Sequence, residues 1–445
     1  MGSLESLREL NRLRIVDVLR RDGSVSRGDL SRATGLSRTT VTTLVAELQA
    51  HGLIEEEIRP SGSSRVAARG RPPALLRLNA SAGVAVGIDF GHRHLRVAVA
   101  DMSSTVLAER RVELDIDQAA GFALNKTVEL VDQALKDAGR ERSQVIGAGL
   151  GVPGPIDRRT GTVGSTAIMP DWVGLEPAAE LSARLEVRVE VENDANLGAL
   201  AEVSFGAGRG LADVVYVRIS SGIGAGLILG GRLYRGSTGI AGEIGHVQVR
   251  PDGAVCRCGN RGCLEATASP DALLGLLRPA HGELNVRHML ELVAADDSGA
   301  TRIVKDAGRA IGRVLADLCN HLNPAAIVIG GDLSGASGPL LDGMRESLDR
   351  FALPAAASSV ELMAGELGDR AEVLGALALV IGDTERLRST GLAALYDAVL
   401  SPVPNHGVDL FPTLREELSN GRARRTESAG GPGQRRTDQV VEQVP

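Results

Sequence analysis

Apolar residues fall at helical spacing through the first fifty positions. Val41, Leu44, Val45 and Leu48 stand at i, i+3, i+4 and i+7, which predicts an amphipathic helix packing inward against Ile15, Val18, Leu19 and Leu30. Ser37 is placed to cap it, after a tight turn at Gly35-Leu36. Upstream, Ser26 predicts the cap of a shorter helix running to about Thr34, with Asp29 completing a capping box three residues on. Two helices joined by so short a turn form a helix-turn-helix. Its outward or N-terminal positions are Ser37, Arg38, Thr39, Thr40, Thr42 and Thr43, short polar side chains and one arginine suited to phosphates and base edges of operator DNA. After Gly52, LIEEEI and ALLRLN predict two strands joined by RPSGSSRVAARGRPP, a wing. Arg69 and Arg71 in its RGRP core are basic enough, on a small enough loop, to enter a minor groove. The other reading of this head is a helical hairpin for protein contacts.

Farther on, the pattern becomes an alternation of strands and helices. GVAVGIDFGHRHLRVAVAD predicts a strand, a turn around Gly91 and a second strand ending at Asp101. The helix LNKTVELVDQALKDAG, the strand VIGAGLGV and a turn from Pro153 to Asp157 follow. VRVEVEND is a strand running into the helix ANLGALAEV. Next come the strand VVYVRIS, a turn over SSGIGAG and the strand LILGG. The helix IVKDAGRAIGRVLADLCNHL then leads to the buried strand of AAIVIGGDL. Such alternation predicts an α/β protein with helix-covered sheets.

Length and charge divide the chain. At 445 residues it exceeds one ordinary domain. Residues 1–79 carry 13 arginines against nine acids, a net +4, whereas the remainder sums to −11. A basic head on an acidic body is the arrangement expected of a DNA-binding module joined to something else. We expect a head over 1–79, a body over 80–383 and an extension over 384–445, polar and Gly/Arg-rich and therefore disordered from about residue 419. The charged N-terminal stretch lacks the apolar centre of a signal peptide. The most apolar run, Ile219 to Gly231, is glycine-rich and bounded by Arg218 and Arg232, which suits a strand–turn–strand and not a membrane span. The expectation is a cytoplasmic protein with no membrane partner.

The densest chemistry lies in AGEIGHVQVRPDGAVCRCGNRGCLE, residues 241–265. His246, Cys256, Cys258 and Cys263 supply the four ligands of a closed tetrahedral site, predicting a structural Zn2+. A disulfide is the alternative, but Cys256 and Cys258 are too close in sequence to bridge comfortably and an odd number leaves one thiol over. Beside the metal, Glu243 and Glu265 are placed to accept hydrogen bonds from a polyhydroxylated ligand.

GVPGPID, ENDAN, AGEIGH and CRCGNRGCLE, in this order, resemble the ROK family of repressors, open reading frames and sugar kinases; the resemblance spans about residues 8–383. It implies an actin-like ATPase fold, two α/β lobes with a sugar cleft between them, behind an N-terminal winged helix-turn-helix. It also implies that Asn193, Asp194, Glu243, His246 and Glu265 contact sugar hydroxyls, His246 using one ring nitrogen for the metal and the other for the ligand. In the family's kinases the counterpart of Asp194 is the general base. Their loop also carries an Asn two residues before a proline, where this chain has Ile168. The kinases' first phosphate hairpin looks like D-x-G-G-T-K; here it reads Asp89-Phe90-Gly91-His92-Arg93-His94. Rings and a guanidinium where phosphate must approach closely predict that ATP is obstructed. The second turn keeps Gly222, Gly224 and Gly226 but begins Ser220-Ser221, and Ile329-Gly330-Gly331 persists near the adenosine end.

The expectation is therefore a sugar-responsive transcription regulator, a repressor, with no catalysis, binding operator DNA as a homodimer or homotetramer. Its effector is a sugar or a sugar phosphate, the latter held by the hairpin cations. The alternative is a bifunctional ATP-dependent sugar kinase and regulator.

Overall fold

The computed structural model describes residues 8, 11–12, 14–16, 18–19, 22–50, 52–57, 74–117, 120–164 and 170–390, with side chains to residue 381, Ser81 excepted. Arg69 and Arg71 of the wing, Ile168 and the extension beyond residue 390 lie outside the described residues.

The head follows its hydrophobic spacing. Helix α1, Arg27–Thr34, is capped by Ser26, whose side chain accepts from the Asp29 amide while Asp29 accepts from the Ser26 amide. It stops at Gly35, whose φ of 72° is the left-handed conformation that a glycine adopts without penalty. Helix α2, Arg38–Ala50, starts from Ser37, whose hydroxyl accepts from the Thr40 amide at 3.1 Å. Val41, Leu44, Val45 and Leu48 are all buried, in one cluster with Ile15, Val18, Leu19 and Leu30. Strand β1, Val25–Ser26, pairs with β3, Leu75–Leu78, which pairs antiparallel with β2, Ile54–Glu57. These are the two strands expected to flank the wing.

The body contains two five-stranded sheets of the same topology. In the first, β4 (Val84–Gly91), β5 (His94–Asp101) and β6 (Val106–Glu113) run antiparallel. On the other side of β4, β7 (Val145–Val152) and β10 (Val189–Asn193) run parallel to it, giving the order β10-β7-β4-β5-β6. A small hairpin, β8 (Ile156–Asp157) with β9 (Thr162–Val163), intervenes. The second sheet repeats the plan with β11 (Val214–Ile219), β12 (Ile223–Leu229), β13 (Arg232–Tyr234), β14 (Ala326–Gly330) and β15 (Glu361–Ala364), in the order β13-β12-β11-β14-β15.

Helices cover both sheets. Helices α3 (Ala120–Asp137) and α4 (Pro177–Leu185) cover the outer face of the first sheet. Between the sheets, α5 (Asp194–Phe205) lies on β11 and β12. The helices that follow are α6 (Glu265–Ala268), α7 (Pro270–His281), α8 (Val286–Ala294), α9 (Ser298–Leu322), α10 (Ser337–Phe351) and α11 (Pro354–Ser359), with α9 and α10 packed along each other in the core of the second sheet. Helix α12 (Ala371–Thr390) packs on β4 and β7 and against α5. Here backbones touch: a Cβ at Gly149 would lie 2.1 Å from Ala376 O, and one at Gly375 2.0 Å from Leu197 O. The two lobes therefore meet through α5 and α12.

Three sequence expectations need correction. The turn assigned to SSGIGAG is confined to Ser220–Gly222, because β12 already begins at Ile223. Gly226 is there for close packing: its Cβ would fall 2.4 Å from Ala195 O on α5. The edge strand β6 went unread, since VLAERRVE has four charged residues and blurred alternation, as edge strands do. Residues 384–390, assigned to the extension, continue α12. Among the described residues, no helix is long and apolar enough to cross a membrane.

Candidate functional site

All five residues assigned to a sugar line one cleft between the lobes. Asn193 and Asp194 arrive at the junction of β10 and α5. Asn193 caps that helix, its Oδ1 accepting from Ala195 and Asn196 at 2.9 and 3.2 Å while its Nδ2 donates to Gly154 O. Its oxygen is thus committed to the fold, and one amide hydrogen remains for a ligand. Glu243 precedes and His246 ends the short 3-10 turn Ile244–His246, which lies hard against β12. Gly242 has φ 98°, and a Cβ there would sit 1.8 Å from Ala225 O; one at Gly245 would sit 2.2 Å from Ile223 O. No larger residue fits at either place, so these glycines set where Glu243 and His246 project. Glu265 opens α6, and its Oε2 accepts from the Ile223 amide at 3.2 Å.

Glu243 shares the cleft with the carboxylates of Asp194 and Glu265. Burial, followed by the charges of Asp194 and Glu265, pushes Glu243 up to about 7.

His246, Cys256, Cys258 and Cys263 converge, their ligand atoms all within 4.8 Å of one another. Cys258 Sγ and Cys263 Sγ are 3.7 Å apart, as are Cys256 Sγ and His246 Nδ1. Tetrahedral zinc bonds of about 2.3 Å to sulfur put two sulfurs about 3.8 Å apart, so the cluster fits the ion it was expected to hold. None of the three cysteines is in a disulfide. His246 turns Nδ1 to the sulfurs, while its Nε2 lies 3.9 Å from Glu243 Oε2 on the cleft side.

The first hairpin is closed by its own side chains. His94 Nε2 lies 2.9 Å from the buried Asp89 carboxylate, with its ring over Gly91, where a Cβ would come within 2.1 Å of it. His92 Nδ1 is 2.8 Å from Asp117, and its side chain lines the cleft. Two of the three hairpin residues expected to greet a phosphate are thus paired with carboxylates; Arg93 is exposed.

Two further cleft residues escaped the sequence reading. Arg218, on β11, makes ion pairs with Asp194 (3.2 Å) and with Glu372 on α12 (2.7 Å). The signal was a lone charge inside the apolar run VVYVRIS. Arg257, between two of the cysteines, bonds Glu265 Oε1 at 3.0 Å and donates to Ser221 O at 2.8 Å, tying the cysteine loop to the second turn.

Of the residues assigned to DNA, Ser37, Arg38, Thr39, Thr42 and Thr43 are exposed and Thr40 is half-buried, bonded to Ser37.

A family model described as ROK family matches residues 85–383, and one described as winged helix-turn-helix DNA-binding matches residues 8–55. The chain is 30% identical over 399 residues to a putative xylose repressor of Caldicellulosiruptor sp., covering 86% of this chain and 98% of that protein. It superposes with a TM-score of 0.71 and 25% identity on a ROK family transcriptional regulator described as a homolog of the E. coli MLC protein, over 86% of this chain and 99% of that one. A ROK family glucokinase from Streptomyces griseus, solved with glucose and AMPPNP, superposes with a TM-score of 0.59 and 30% identity, over 67% of this chain and 99% of that one.

Proposed function

The chain belongs to the ROK family, and from that premise we propose that it is a sugar-responsive DNA-binding transcription regulator, a repressor of carbohydrate genes, which works in the cytoplasm without phosphorylating its sugar. The observation that carries this reading is a capped, basic helix-turn-helix in one chain with a cleft lined by Asn193, Asp194, Glu243, His246 and Glu265. The similarity supports it: the xylose repressor and the regulator are matched over 86% of the chain, the glucokinase over 67%.

In the cleft, carboxylates accept from sugar hydroxyls, and His246 Nε2 faces the ligand while Nδ1 faces the sulfurs. Zn2+ is the ion proposed for His246, Cys256, Cys258 and Cys263. Bound there it neutralises the thiolates and holds the loop that presents His246 and, through Arg257, Glu265. Loss of phosphoryl transfer is supported by two contacts. Asp194, the counterpart of the kinase base, is held in an ion pair by Arg218, whose Nη1 occupies its Oδ2 at 3.2 Å. The hairpin that would receive ATP phosphates is filled by His92 and His94.

Sugar and DNA are linked through the lobes. Contacts between the lobes, Arg158 N–H to Thr238 O at 3.2 Å and the ion pair of Arg235 with Glu192, depend on the angle between the sheets. A sugar that favours one angle changes operator affinity by as much as its own affinity differs between the two states. A homodimer presents two recognition helices to two half-sites, so a change in their spacing is read as release. The test is DNA release from the chain's own upstream region across a panel of sugars, with ADP production followed in parallel. ADP production at ordinary kinase rates would favour the bifunctional reading.

A further inference from the structure

Thr42 and Thr43 stand side by side on the exposed face of α2, and each commits its hydroxyl proton inside the helix. Thr42 Oγ1 donates to Arg38 O at 2.9 Å, and Thr43 Oγ1 donates to Thr39 O at 3.1 Å. A threonine held this way turns its hydrogen to the backbone and has nothing left to donate to a phosphate or a base carbonyl. What it presents outward is its γ-methyl group. The rest of the face sharpens this. Val41, Leu44, Val45 and Leu48 fix the buried side, which sets Thr39, Thr42, Thr43 and Ala46 on the open one, all four exposed. Ser37 and Thr40 are occupied with each other at the cap. Glu47, the helix's one carboxylate, is half-buried and paired with Arg12 at 2.6 Å. Arg38 is the helix's single cation and sits at its N-terminal end. The centre of the open face therefore carries methyl groups, those of Thr42 and Thr43 with Ala46 beside them.

In the major groove the base-edge group that complements a methyl is the C5-methyl of thymine. Resting on the reading of the head as a DNA-binding module, we infer that Thr42 and Thr43 read thymine by methyl contact. The operator then carries thymines where these two residues meet the groove.

The experiment selects duplexes from a random pool with the full chain, then resynthesises the best with deoxyuridine in place of thymidine one position at a time. That exchange removes only the methyl group. The expected result is a loss of about fourfold at one or two positions of each half-site, the ratio for one methyl-sized apolar group. Thr42→Ser and Thr43→Ser lose affinity for the thymine duplex and no longer distinguish it from the uracil duplex at their positions. Thr43→Val, which keeps a methyl and loses the hydroxyl, still distinguishes them. If every uracil duplex binds as tightly as the thymine duplex while a scrambled one does not, methyl readout is overturned and the DNA-binding reading stands. If selection enriches no duplex, the DNA-binding reading falls and this inference with it.

Discussion

Arg218 stands between Asp194 and Glu372, its Nη1 3.2 Å from Asp194 Oδ2 and its Nε 2.7 Å from Glu372 Oε1. One guanidinium from the second sheet thus serves a carboxylate in the cleft and another on α12, which packs on the first sheet. The ion pair joins the cleft to the helix pair on which the lobes meet.

Replacing Arg218 leaves the buried carboxylates of Asp194 and Glu372 without the cation that pairs with both. Arg218→Met is expected to cost about 3–5 kcal/mol of stability, the usual loss when one member of a buried pair is removed. Arg218→Met with Glu372→Leu recovers part of it, because one orphaned charge goes too. Thermal unfolding of the two variants beside the unmodified chain measures this; a double variant no more stable than the single one would contradict it.

Burial pushes Glu372 up to about 7, against the pull of Arg218. A carboxyl whose folded value exceeds its unfolded one binds its proton more tightly when folded. Its contribution to stability is therefore fully present below about 4.5 and is lost as pH climbs to about 7. Between pH 5.5 and 8 the unmodified chain should lose thermal stability relative to Glu372→Gln. A constant difference across that range would speak against the raised value.

Removing the metal should separate sensing from DNA binding. Cys258→Ser is expected to lower bound zinc, measured by mass spectrometry, and to abolish sugar-driven release while leaving operator binding in place, since the head has its own core. Normal release by a metal-free variant would remove zinc from the mechanism.

The head was legible because its signals are local. Ser26 with Asp29, Gly35, and the spacing of Val41, Leu44, Val45 and Leu48 each constrain their own few residues, and all reappear in the structure. The strand at Val145–Val152 was legible for a different reason: an unbroken small and apolar run buried on both faces. The cysteine cluster needed only spacing and ligand chemistry. What could not be read depends on partners far away in sequence. Gly226 looks like a turn residue until Ala195 O is found above it, and β6 is too charged to betray its pairing with β5. Arg218 announced itself only as an oddity in an apolar strand; its partner Glu372 lies 154 residues on. Asn193 lines the cleft, yet its cap of α5 shows that most of its hydrogen bonding serves the fold.

The central claim is that this cleft senses a sugar for the head and no longer transfers phosphate. It is tested most directly by fluorescence anisotropy of the chain on its own upstream DNA, titrated with each sugar of a panel, with ATP and a coupled ADP assay in the same cuvette. The account predicts that at least one sugar releases the DNA, that Glu265→Gln blunts this release, and that no ADP accumulates above the sugar-free rate. Rapid sugar-dependent ADP production, or DNA binding indifferent to every sugar, would contradict it.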